Sequence, residues 1–60
     1  MPDNNTVALA VRTACLEAAL NAYEDAGTSG LCAEGRWELA VQAIRELDLD
    51  TLLHKIHSRR

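Results

Sequence analysis

The chain has 60 residues and a formal charge of −3, from six basic and nine acidic side chains. That balance argues against a nucleic-acid binder, which needs a basic face to hold phosphates. Of its apolar residues 10 are alanine and 9 leucine, against five valines and isoleucines and no phenylalanine. These are strong helix formers, so the fold class expected is all-α, and β or α/β folds are excluded.

The longest unbroken apolar run is Val7–Val11, far short of a membrane span. The opening Met-Pro-Asp-Asn-Asn-Thr lacks the basic and long apolar segments of a signal peptide. A cytoplasmic location is therefore expected. Cys15 and Cys32 are too few for a disulfide framework and are expected to be free thiols.

Residues 1–5 read as a polar tail, with Asn5 or Thr6 as the N-cap of a long helix over 6–26. No Gly or Pro interrupts that stretch. At about 100° per residue, Thr13, Glu17, Asn21 and Glu24 form a polar arc. Leu9, Leu16, Leu20, Tyr23, Val11 and Cys15 make up the apolar side, with Ala8, Ala19, Ala22 and Ala26 down its middle. Arg12 lies near Leu16 and Tyr23, its stem covering apolar surface or its head reaching a partner's anion. Gly27 is expected to end the helix as a left-handed cap. A turn over Thr28-Ser29-Gly30 leads to a second helix over about 31/36–47, in which Trp37, Ala40, Val41, Ile44 and Leu47 share a face. Asp48 can cap a third helix over 49–57, where Leu49, Leu52, Leu53 and Ile56 follow the i, i+3, i+4, i+7 spacing. Residues 6–57 thus form a single helical domain, a three-helix hairpin-type unit, followed by a basic tail at 58–60.

The run Gly35-Arg36-Trp37-Glu38-Leu39-Ala40-Val41-Gln42-Ala43-Ile44 resembles the second half of a tetratricopeptide repeat. The resemblance implies a helical hairpin in which Gly35 turns the chain, Trp37 packs over the turn and Ala40 marks a close helix crossing. There is one copy, whereas a solenoid needs about three, so no peptide-binding groove is implied.

Candidate chemistry is sparse. Cys32 lies at an expected helix start, three residues after the possible cap Ser29 and one turn before Arg36, where a thiolate is favoured. The structural alternative is a small filler beside Leu31 and Ala33. Asp50, His54 and His57 share one face of the third helix and are the metal-ligand candidates, against a plainly solvated face. No nucleophile–base pair or phosphate loop is present, and a chain this size has difficulty enclosing a pocket, so no catalytic residue, cofactor or small-molecule substrate is expected.

A lone core this small supplies only ~3–5 kcal/mol. The function expected is therefore that of an accessory, regulatory or inhibitory subunit that completes its core against a protein partner or in a homodimer. The interface candidates are Ala8, Leu9, Arg12, Cys15, Leu16, Ala19, Leu20, Ala22, Tyr23 and Ala26. The alternative is a thiol- or metal-handling protein using Cys32 or the Asp50/His54/His57 face.

Overall fold

Helix α1 is the longest element because nothing in Asn4–Thr28 breaks it, the glycine at 27 included. A computed structural model describes residues 2–58 and shows three helices: α1 (Asn4–Thr28), α2 (Ala33–Arg45) and α3 (Leu49–Ser58). The described residues contain no strand, as the composition requires. Met1 of the expected N-terminal tail, and Arg59 and Arg60 of the basic tail, lie outside them.

The ends of α1 are corrections to the sequence reading. The N-cap is Asp3, whose Oδ1 accepts from the Thr6 amide at 2.7 Å. Asn5 and Thr6 are already helical. Asp wins because an ionised carboxylate is the stronger acceptor for an orphan amide. At the other end Gly27 remains in the helix, and the left-handed residue is Gly30, at φ +89°. The Leu31 amide donates to the Ala26 carbonyl and the Gly30 amide to the Gly27 carbonyl, both at 3.0 Å. This is the Schellman closure, which needs its glycine one residue beyond the cap. Ser29 is consequently the C-cap of α1 and not the start of α2.

Gly35 does not turn the chain either. It lies in the first turn of α2, which starts at Ala33 after Cys32. A Cβ there would come within 3.0 Å of Leu31 Cδ2, so the missing side chain lets Leu31 fold back on the helix. The second helix ends at Arg45, leaving Leu47 in the connection. Asp48 then caps α3 as expected: its Oδ1 accepts from the Thr51 amide at 3.0 Å and its Oδ2 from the Thr51 hydroxyl at 2.7 Å.

Helices α2 and α3 both pack on α1 and not on each other. The molecule is an elongated hairpin, 43 × 17 × 16 Å, with α1 as one arm and α2 followed by α3 as the other. Its seam is built from alanine. Ala26 is 3% exposed and Ala40 7% exposed, and they are the buried apolar residues of the described chain. Ala10, Ala14, Ala18 and Ala22, spaced by four residues towards Ala26, are half-buried, as are Val7, Val11, Cys15 and Ala19. A four-residue step overshoots one turn by about 40°, so this row winds round α1. The second arm follows it obliquely.

On α2 Trp37 is turned about 60° from the buried Ala40, off the face that meets α1. Trp37, expected as the anchor over the turn, is instead 66% exposed. Of the features that the tetratricopeptide resemblance implies, the close approach at Ala40 is present; the turn at Gly35 and the packed Trp37 are not.

Candidate docking surface

Helix α1 carries two apolar faces, and the hairpin uses only one. The small residues face the second arm. On the far side, Leu9, Leu16, Leu20 and Tyr23 fall within about 60° of one another and all are exposed, Leu16 by 57% and Leu20 by 59%.

A groove on one flank of the α1–α2 seam is lined by Ala22, Asp25 and Ala26 of α1 and by Leu39, Gln42, Ala43 and Glu46 of α2. On the other flank the Arg36 guanidinium lies over the Tyr23 ring, 5.7 Å from its centroid, a cation–π distance. Arg36 Nε also donates to the Leu31 carbonyl at 3.1 Å, and its head lies where a Gly27 side chain would be. Arg36 thus straps the α2 start to the Tyr23 side of α1. On α2, Trp37 and Val41 line an outward furrow together with Glu38, Gln42, Arg45 and Glu46. Leu9, Leu16, Leu20, Tyr23, Trp37, Leu39, Ile44 and Leu49 are the large apolar residues exposed among the described residues.

The ten interface candidates divide accordingly. Cys15, Ala19 and Ala22 are half-buried and Ala26 is buried, with Ala22 and Ala26 beside α2. Ala8, Leu9, Arg12, Leu16, Leu20 and Tyr23 are exposed. Trp37 and Ile44 were missed as surface residues. Their signal was present in their phase, about 60° and 40° away from Ala40, but reading it requires knowing that the seam runs through Ala40.

A second furrow, between α1 and α3, is lined by Leu9, Ala10, Thr13, Ala14, Glu17, Leu52, Lys55 and Ile56. It carries one acidic and one basic side chain.

Cys32 occupies the N-cap position of α2, is exposed, and makes no capping hydrogen bond through its side chain. Asp50, His54 and His57 are all exposed on α3. Among the described residues no group of three or more His, Cys, Asp or Glu side chains is placed to hold a metal ion. Among the described residues no helix is long and apolar enough to cross a membrane. Comparison with protein-family models, curated proteins and solved structures finds no match to this chain.

Proposed function

We propose that this chain is a small interaction module, working as an accessory, regulatory or inhibitory subunit by burying apolar helix faces against a partner chain. The observation that carries the reading is the exposure of Leu9, Leu16, Leu20, Tyr23, Trp37 and Ile44 in a molecule whose buried residues, among those described, are two alanines. Monomers rarely leave a contiguous apolar patch of more than a few hundred Å² in water, and larger ones mark interaction sites. Aromatic residues are the commonest anchors of such contacts, and Trp37 and Tyr23 are among the exposed residues.

The test is cross-linking in the native cell, with wild type compared with Leu16→Glu and Trp37→Glu. Both side chains point away from the seam, so both variants should keep wild-type helicity by far-ultraviolet circular dichroism. Each should lose the cross-linked adduct that the wild type forms. An adduct that survives both substitutions, or a Leu16→Glu chain that is unfolded when dilute, would sink the reading; in the second case the leucine row would be part of the chain's own core.

A further inference from the structure

The two packings on α1 differ in kind. At the closed end of the hairpin Ala26 and Ala40 are buried, and the Leu31 amide returns to the Ala26 carbonyl. Arg36 ties the start of α2 to the Leu31 carbonyl and lies over the Tyr23 ring. Helix α3 has none of these anchors. It buries no residue, and Leu52, Leu53 and Ile56 are its half-buried ones. Among the described residues no hydrogen bond runs from α3 to α1 or α2.

The connection between α2 and α3 is closed on each side separately. The Glu46 amide donates to the Gln42 carbonyl and the Leu47 amide to the Ile44 carbonyl, so α2 ends on itself. The start of α3 closes on Asp48, whose carbonyl accepts from the Leu52 amide and whose carboxylate accepts from the Thr51 amide and hydroxyl. No hydrogen bond among the described residues spans the Leu47–Asp48 link. Rotation about the backbone dihedrals there swings α3 without breaking a bond of either helix, which is what a hinge requires. What the swing uncovers is the N-terminal half of the α1 alanine row, since Ala10 and Ala14 line one furrow with Leu52 and Ile56.

We propose that α3 is a hinged cover: it leaves α1 as a unit about the Leu47–Asp48 link, while the α1–α2 hairpin stays folded, and its release bares Ala10 and Ala14. Elements held by few buried apolar contacts open locally, below the free energy of global unfolding. A helix of 10 residues is shorter than the length at which a lone helix persists in water, so the released cover gives up its helical hydrogen bonds. The α3 amides therefore report each opening. This goes beyond the docking reading, because it concerns a contact within one chain and holds with or without a partner.

Hydrogen exchange of the full chain, followed amide by amide by nuclear magnetic resonance and corrected for intrinsic rates, tests it. The amides of Leu53–Ile56 should exchange at closely similar rates, about tenfold or more faster than those of Ala40–Ile44 on α2. Leu52→Ala and Leu53→Ala keep a good helix former in place, so they read packing and not propensity. Each should accelerate the α3 amides by about fivefold and leave Ala40–Ile44 unchanged. One common rate for α2 and α3, or variants that accelerate both equally, overturns the proposal, because the three helices would then open as a single unit. Rates that fall steadily from Ile56 to Leu53 overturn it as fraying of the far end of α3. Wild-type α3 amides without protection overturn it as well, since the cover would never be seated.

Discussion

At the scale of single residues, the helix ends are where charge and backbone conformation act. Two amide–carboxylate caps, at Asp3 and Asp48, start α1 and α3. Hydrogen bonds from Thr6 hold the Asp3 carboxyl below its ordinary value of 3.8, and bonds from Thr51 do the same for Asp48. A folded-state pKa below the unfolded one means that the stabilisation is present above about 4 and is lost as the pH falls through the depressed values. Acid titration followed by circular dichroism should therefore show helix loss below about pH 4, and Asp48→Asn should blunt the part that belongs to α3. The glycines separate cleanly. Gly30→Ala meets no atoms but must hold φ at +89°, and should cost about 1 kcal/mol or more in denaturant unfolding. In Gly27→Ala the new methyl meets only the flexible head of Arg36, 2.9 Å away at Cζ. The helix-propensity gain and the disturbed Tyr23 contact should nearly cancel, within about 0.5 kcal/mol.

At the scale of elements, the pairing of α1 with α2 depends on alanine at the crossing. Ala26 has little room to grow, since it is 3% exposed and the Leu31 amide returns to its carbonyl. Ala26→Leu should destabilise by about 1–3 kcal/mol through overpacking. Ala8→Leu, at an exposed position near the other end of the same helix, should change stability by less than about 0.5 kcal/mol. Thermal unfolding of the two variants side by side checks the pair, and equal effects would mean that the alanine row is not the seam. Helix α3 is the lightly held element, since it touches α1 alone and buries none of its residues. Its own signals sustain it: the Asp48 cap, Asp50 in the first turn, and Lys55 and His57 in the last.

At the scale of the whole molecule, the proposed docking reading ties stability to association. If self-association supplies burial that the hairpin lacks, the melting temperature must rise with protein concentration by mass action. Melts of the wild type from 5 to 500 micromolar should show that rise, and Trp37→Asp should flatten it. A melting temperature independent of concentration in the wild type would mean that the alanine seam alone holds the fold.

Helical class, the number of helices and the cap at Asp48 were legible in the sequence by itself, following from composition, from spacing along one helix and from a hydrogen bond between residues three apart; the burial at Ala40 was implied by the tetratricopeptide resemblance. Which apolar face of α1 is inside was not legible. A helical wheel shows that Leu9, Leu16, Leu20 and the alanines are all apolar and does not choose between them. The tertiary structure chose: helices approach most closely where their side chains are small, so Ala26 and Ala40 are buried while Leu9, Leu16, Leu20, Tyr23 and Trp37 are exposed. The place of the left-handed glycine was decided in the same way: the chain turns at Gly30, where Leu31 can return to cover Ala26, and not at the first glycine it meets.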